Sequence, residues 1–153
     1  MKTLLQKPNR VLAACQPIFH VALTRIWPDF KWHLHHVATV GQAIAFTNLI
    51  DTAVVVCERE LPDGGWKVLL DSFHRLPKPP KLIVTSRITD DALWAEVLNL
   101  GGYDVLAQPF CPEEVFQVIS RACCRPRDDR TQTNTALVES SSLIKGVYEN
   151  DDC

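Results

Sequence analysis

The sequence lacks several features that would assign it to a common class of protein. It has no run of about 18 apolar residues, which a membrane-spanning helix needs, and its first ten residues lack the apolar centre of a secretory signal. The net charge is only −2 over 153 residues, so no basic excess indicates nucleic-acid binding. These absences predict a cytoplasmic protein that binds neither a membrane nor nucleic acid.

Cysteine, histidine and glycine occur in patterns that indicate neither a metal site nor a nucleotide site. None of the six cysteines forms a CxxC pair, and no glycine-rich phosphate loop follows the first predicted strand. His33 and His35 share one face of a predicted strand and His36 lies on the other. Because no cysteine spacing completes a tetrahedral set around them, we expect no metal and place these histidines on an edge strand or at the surface.

The sequence does contain five short apolar runs rich in branched residues, alternating with five segments of helical spacing. This β-α alternation predicts a parallel sheet covered by helices on both sides. The run Ala53–Cys57 is almost wholly apolar, which is typical of a central strand buried on both faces. The predicted strands are Val11–Cys15, Trp32–Val37, Thr52–Cys57, Lys81–Thr85 and Tyr103–Ala107, and the predicted helices are Pro17–Trp27, Thr39–Ile50, Gly65–Leu76, Thr89–Leu100 and Pro112–Cys124.

The composition divides the chain into three parts. Residues 1–9 form an N-terminal extension, residues 10–124 a single α/β domain, and residues 125–153 a polar segment that we expect to be a disordered tail. Since only 29 residues follow the last predicted helix, we expect no catalytic or DNA-binding domain after it.

Polar residues gather where the predicted strands end, which is where ligand sites of open parallel sheets form. The third strand is followed by Glu58-Arg59-Glu60-Leu61-Pro62-Asp63-Gly64, the fourth by Thr85-Ser86 and the fifth by Gln108-Pro109-Phe110. With these three motifs in order, Arg10–Cys124 resembles the receiver domain of bacterial response regulators. The resemblance implies a three-layer, flavodoxin-like (βα)5 fold with sheet order 2-1-3-4-5, and a role in two-component (phosphorelay) signal transduction.

The resemblance also implies where the phosphoryl chemistry of such a domain would lie, and the sequence departs from it at most positions. Glu58 stands at the phosphoacceptor position, which is an aspartate in the family. Cys15 and Gln16 replace the acidic pair that holds Mg²⁺, and Gln108 replaces the lysine. Thr85 alone keeps the expected group, a hydroxyl.

These replacements predict that the site does not support phosphorylation. One carboxylate with two neutral neighbours binds Mg²⁺ weakly, and a thiol is too soft a ligand to replace an aspartate. We therefore expect no cofactor, no enzymatic activity and no phosphoryl group at Glu58. The sequence leaves open whether Glu58 imitates a phosphorylated residue, for example by bonding to Thr85, or is a solvated or locally paired carboxylate.

Two further positions bear on how such a domain would signal. Val105 occupies the aromatic switch position of the family, so the usual aromatic toggle is absent. Trp94 on the fourth helix either stands out as a possible interface residue or is a partly covered core residue. The resemblance implies that a partner, either another signalling protein or a second copy of the chain, binds the face formed by helix four, strand five and helix five.

Two other functions remain open at the level of sequence. One is a conventional phosphorylatable regulator with relaxed chemistry. The other is a flavodoxin-like thiol or redox module that uses Cys15 and Cys57, which lie at neighbouring strand ends.

Overall fold

The computed structural model describes residues 9–123, in which the five strands of one sheet alternate with five helices and two further short strands form a hairpin. The predicted disordered tail, residues 125–153, lies outside the described residues. The strands are β1 (Arg10–Ala14), β2 (His33–Val37), β3 (Val54–Glu58), β4 (Lys81–Ser86) and β5 (Asp104–Ala107). The helices are α1 (Pro17–Ile26), α2 (Val40–Leu49), α3 (Trp66–Phe73), α4 (Asp91–Leu100) and α5 (Pro112–Cys123), and a short 3₁₀ turn (Trp27–Asp29) follows α1.

The five strands form one parallel sheet in the order β2-β1-β3-β4-β5. This is the predicted flavodoxin-like arrangement, which is therefore confirmed. All five residues of β3 are buried, because the strand lies at the centre of the sheet with helices over both faces. The histidine-rich strand β2 lies at one edge, as predicted.

Alternate residues of each strand face two separate helical layers. On one side, Val11 and Val56 pack with residues of α1 and α5, such as Leu23 and Val118. On the other side, residues including Leu12 and Val55 pack with α2, α3 and α4. Burying an aliphatic side chain of this kind contributes about 1.5–3 kcal/mol relative to leaving it exposed, so the two apolar layers are the main source of stability.

Local capping sets the helix ends close to where the sequence predicts them. The Thr39 hydroxyl accepts a hydrogen bond from the Gln42 amide at the start of α2, and the Asp90 carboxylate does the same for Leu93 at the start of α4. Helix α4 ends at Gly101, whose φ of 108° is a left-handed conformation that glycine adopts without strain. The sequence prediction extends α3 too far at both ends, because helical spacing alone does not locate an uncapped terminus.

A short hairpin that the sequence did not predict follows β3. Glu60–Leu61 pairs in antiparallel fashion with Gly64–Gly65. At its tip the Asp63 carboxylate accepts hydrogen bonds from the backbone amides of Val40 and Gly41, at 2.8 Å and 2.9 Å. These bonds tie the hairpin to the start of α2. Within residues 9–123, no helix is long and apolar enough to cross a membrane.

Candidate functional site

The carboxyl ends of β1, β3, β4 and β5 meet around one open cleft of about 210 Å³. Four of the predicted site residues line it: Gln16, Glu58, Thr85 and Gln108. They converge because the ends of parallel strands lie at the same edge of a sheet. The rest of the lining is Phe19, Arg59, Glu60, Ser86, Arg87 and Ile88.

Glu58 is the last residue of β3 rather than the first after it, and its side chain is almost wholly buried, with 7% exposed. One carboxylate oxygen, Oε2, accepts a hydrogen bond of 3.0 Å from the backbone amide of Gln16. Burial raises the pKa of the Glu58 carboxyl, while the Gln16 amide and the nearby Arg87 charge partly oppose that rise. The pocket therefore favours a neutral carboxyl more than water does.

Thr85 lies directly opposite Glu58 in the sheet register, but the two side chains are not hydrogen-bonded to each other in the described structure. The buried Thr85 hydroxyl instead accepts a bond of 3.2 Å from the side-chain amide of Gln108. The possibility that Thr85 bonds to Glu58 is thus not realised. The residue at the lysine position supplies a neutral donor to the hydroxyl, with no positive charge.

The two residues at the acidic-pair positions point in different directions. Cys15 is buried within the layer formed by α1 and α5, whereas Gln16 is exposed and precedes α1. Burial, with a smaller contribution from the Glu58 charge, raises the pKa of the Cys15 thiol to about 12. A protonated thiol turned into the core is not a ligand for a hard cation.

Cys15 and Cys57 also lie on opposite faces of the sheet, because Cys57 packs in the layer of α2, α3 and α4. Both are free thiols. Burial raises the pKa of Cys57 even more strongly than that of Cys15. Cys15 and Cys57 are therefore separated by the sheet, which argues against the redox module that would use them as a pair.

Within residues 9–123, no group of three or more histidine, cysteine, aspartate or glutamate side chains is arranged to hold a metal ion. The second carboxylate of the cleft, Glu60, is exposed in the hairpin. His33, His35 and His36 do not converge: His35 packs against Phe46 and His36 stacks on His20.

Two positions predicted to matter for signalling lie away from the cleft. Val105 is buried beneath α4, with 4% of its surface exposed. Trp94 is half-buried and packs against the same apolar layer, which matches the description of a partly covered core residue. Its predicted part in an interface stays a prediction.

Sequence reasoning missed two contributors to the environment of Glu58. Arg87 lies in the loop after β4. The one sequence feature that could have predicted it near Glu58 is its position directly after Thr85-Ser86. The second is His36, whose Nε2 donates to the Cys15 carbonyl at 2.8 Å. The same peptide group donates through Gln16 N–H to Glu58, so His36 is linked to the carboxylate through one peptide unit, a link that no sequence spacing reveals.

Comparison with solved structures finds the same fold in proteins of low sequence identity. No family model matches the sequence, and no curated protein matches it. A putative response regulator from Chloroflexus aurantiacus superposes with a TM-score of 0.71 at 17% identity, covering 78% of this chain and all of that one. The signal receiver domain of a putative Luxo repressor protein from Vibrio parahaemolyticus gives 0.71 at 18% identity, covering 77% and 91%.

A third similar structure is the beryllofluoride-activated NtrC4 receiver domain dimer, with a TM-score of 0.68 at 21% identity over 74% of this chain and 94% of that one. The strand order and the alternation of strands with helices agree with this likeness. The described domain therefore has the fold of response-regulator receiver domains.

Proposed function

We propose that the chain acts in signal transduction as a receiver domain that binds another signalling protein and takes no phosphoryl group at Glu58. The composition of the cleft carries this proposal. Glu58 is its one buried carboxylate, and the lining also includes the side-chain amides of Gln16 and Gln108 and the hydroxyls of Thr85 and Ser86. The proposed protein is cytoplasmic, needs no cofactor and is not an enzyme.

The proposal follows from the charges that phosphoryl transfer needs. A transferred phosphoryl group carries negative charge on its oxygens, and Mg²⁺ with a cationic side chain normally neutralises it. Magnesium is usually held by one or two carboxylates together with phosphate oxygens. Here Cys15 faces the core and Gln108 is neutral, so a phosphoryl group at Glu58 would lack both bound Mg²⁺ and the lysine. The exposed Arg59 and Arg87 are the cationic side chains that remain in the lining of the cleft.

The contacts of Glu58 favour a locally paired carboxylate over a permanent imitation of phosphate. Its hydrogen bond goes to the Gln16 amide rather than to the Thr85 hydroxyl. Burial also raises its pKa, which makes its negative charge less permanent than that of a phosphoryl group. The proposed receiver therefore acts through the surface that binds its partner, and not through a change of charge at Glu58.

The proposed partner surface is the face formed by α4, β5 and α5. Trp94 on α4 is half-buried, and aromatic residues are enriched at the centres of protein interfaces. The similar NtrC4 receiver domain is a dimer, so a second copy of this chain is one candidate partner and a separate signalling protein is the other.

The test compares the elution volume of the full chain with Mg²⁺ and beryllofluoride, a phosphoryl analogue, and with Mg²⁺ and fluoride alone. We expect identical elution and identical tryptophan fluorescence, since the analogue finds neither a cation site nor a lysine. A beryllium-dependent shift towards a dimer would instead support the conventional phosphorylatable regulator. The observation that favours that alternative is the Thr85 hydroxyl, which lies at the cleft as it would in a working site.

A further inference from the structure

The carboxylate of Glu58 is buried in an open cleft with only one of its oxygens engaged. Oε2 accepts the Gln16 amide, while Oε1 accepts no hydrogen bond from any residue in the range 9–123. Arg87 lies near enough to lower the pKa of the carboxyl but forms no ion pair with it there. Because a carboxylate has about four lone-pair sites, the cleft contains unused acceptor capacity next to a buried charge.

The other groups around this oxygen are also suited to a cation. Gln108 donates its amide nitrogen to Thr85, which leaves the Gln108 side-chain carbonyl oxygen as an acceptor. The Thr85 hydroxyl has further lone-pair capacity. At the rim, Phe19 and Ile88 provide apolar surface, and Ile88 is 69% exposed. The cleft thus combines acceptors at its base with apolar contact at its mouth.

We propose that this cleft binds the ammonium group of a lysine side chain presented by the partner protein. An ammonium group carries three donors on one compact centre, which suits Glu58, Gln108 and Thr85 better than a planar guanidinium does. A guanidinium pairs best with both oxygens of one carboxylate, and here the Gln16 amide already uses one lone pair of Oε2. The aliphatic stem of the lysine lies against Phe19 and Ile88.

The lining of the cleft also includes two arginines, whose positive charges a bound cation would face. Arg59 and Arg87 are both exposed, so water and salt screen them. Glu58 lies in a desolvated setting, where an ion pair is stronger than at the surface. Arg87 remains the nearest opposing charge, which makes it a sensitive reporter of whether the ligand is cationic.

This inference rests on the proposed function, since it names the chemistry of the partner that the receiver binds. The test uses the full ¹⁵N-labelled chain at pH 7.5 and three probes: Nα-acetyl-lysine amide, the uncharged Nα-acetyl-norleucine amide, and methylammonium. The Gln16 backbone amide and the Gln108 side-chain amide are the NMR reporters. We expect saturable shifts of both with the lysine probe, with a dissociation constant in the millimolar range, and at least about tenfold weaker binding of the norleucine probe.

Three variants separate the parts of the site. Glu58→Gln should abolish binding of the lysine probe, whereas Arg87→Ser should tighten it by about twofold. Ile88→Ser, at an exposed position, should weaken the lysine probe and leave methylammonium unchanged. Equal binding of methylammonium and the lysine probe would overturn the assignment in favour of a small amine, and unchanged binding to the Glu58→Gln variant would overturn the site.

Failure of this inference is distinguishable from failure of the proposed function. If the lysine probe does not bind and no phosphoryl group forms on Glu58, only the inference is wrong. If a phosphoryl group forms on Glu58, the proposed function is wrong whatever the probes do.

Discussion

Glu58 is the residue on which the proposed loss of phosphoryl chemistry depends. The sheet places its carboxylate at the base of a cleft, but the neighbouring side chains provide neither a cation ligand set nor a lysine. The carboxylate is left with one backbone donor. A buried, underpaired carboxylate destabilises the folded state when it is ionised.

The first prediction concerns Glu58→Gln and its dependence on pH. The folded-state pKa of Glu58 is raised, so the folded protein binds this proton more tightly than the unfolded chain. The contribution of Glu58 to stability is therefore most favourable below the ordinary glutamate pKa of about 4.3 and declines as pH rises through the folded pKa. The Glu58→Gln variant keeps a side-chain oxygen that can accept the bond from the Gln16 amide. We expect it to raise Tm by a few degrees at pH 7.5. Below about pH 4 the Tm of the variant should no longer exceed that of the wild type.

Thermal unfolding of the wild type and the variant across this pH range checks the prediction. Asp104 also has a raised pKa, about 6 through burial, but both proteins contain it and its effect cancels in the difference. A variant that is less stable than wild type at pH 7.5, and matches it only in acid, would show that the ionised carboxylate stabilises the fold.

The second prediction concerns the two cysteines near the cleft. With a pKa of about 12, the Cys15 thiol is ionised in only about one molecule in 10⁴ at pH 8, and Cys57 is shielded by the core. We expect neither to be alkylated in the native protein and both to be alkylated in guanidinium, as measured by peptide mass mapping. Rapid native labelling of Cys15 would restore the thiol module as a candidate function.

At this scale the sequence predicted which residues stand at the strand ends but not how they pair. Glu58, Thr85 and Gln108 were located from the motifs that follow each apolar run. Their hydrogen bonds depend on rotamers and on strand register, which a single sequence does not determine. The separation of Cys15 and Cys57 follows from such a register, since Cys57 pairs with Ala14 and Cys15 is the next residue.

Among the secondary-structure elements, the hairpin after β3 is the one that the sequence pattern did not predict. It contains two-residue strands that are too short to show an alternating pattern, and it is fixed by contacts far away in sequence. Asp63 bridges to the first turn of α2, where a carboxylate also interacts favourably with the helix dipole. The longer elements were predictable because their periodicity and caps are local properties.

The third prediction tests this link with Asp63→Ala. The amides of Gly41 and Val40 hold the pKa of Asp63 below its usual range, so its stabilising contribution is present above the unfolded pKa and is lost as pH falls through the folded pKa. We expect a lower Tm at pH 7.5 and faster hydrogen exchange at Val40 and Gly41. The Tm difference should disappear in strong acid.

A suitable control is Asp71→Ala on α3, whose carboxylate is 74% exposed and pairs only with Arg75 at 3.8 Å among the described residues. Exposed pairs of this kind contribute about 0–1 kcal/mol. If both variants lower Tm equally, with no change in exchange at Val40 and Gly41, the hairpin is not anchored as described.

At the scale of the whole molecule, the scaffold and the chemistry of the site are separate properties of the sequence. Two apolar layers and five β-α units specify the fold. The β-α pattern predicts a parallel sheet, whereas its strand order was implied only by the resemblance to receiver domains. Cleft residues such as Gln16 and Gln108 lie outside both apolar layers, so the proposed function depends on side chains that can differ without a change in the core. The partner surface depends on exposed residues, for which no packing pattern exists in the sequence.

The fourth prediction is that Glu58→Asp alone does not restore phosphorylation. The substitution supplies the family's acceptor but leaves Cys15, Gln16 and Gln108 in place, so no cation site forms. Intact-mass spectrometry after incubation with acetyl phosphate and Mg²⁺ should show the unmodified mass. The matched comparison restores all four positions with Cys15→Asp, Gln16→Asp, Glu58→Asp and Gln108→Lys, and there we expect Mg²⁺-dependent phosphorylation if circular dichroism shows that the variant is folded.

The most direct test of the central claim is the same measurement on the unaltered full chain. The chain is incubated with acetyl phosphate and Mg²⁺, sampled over time and analysed by intact-mass spectrometry, alongside a receiver domain with a complete acidic set. The account predicts that this chain keeps its unmodified mass at every time point while the comparison domain gains one phosphoryl group. A Mg²⁺-dependent gain of one phosphoryl group, located at Glu58 by peptide mapping, would contradict it.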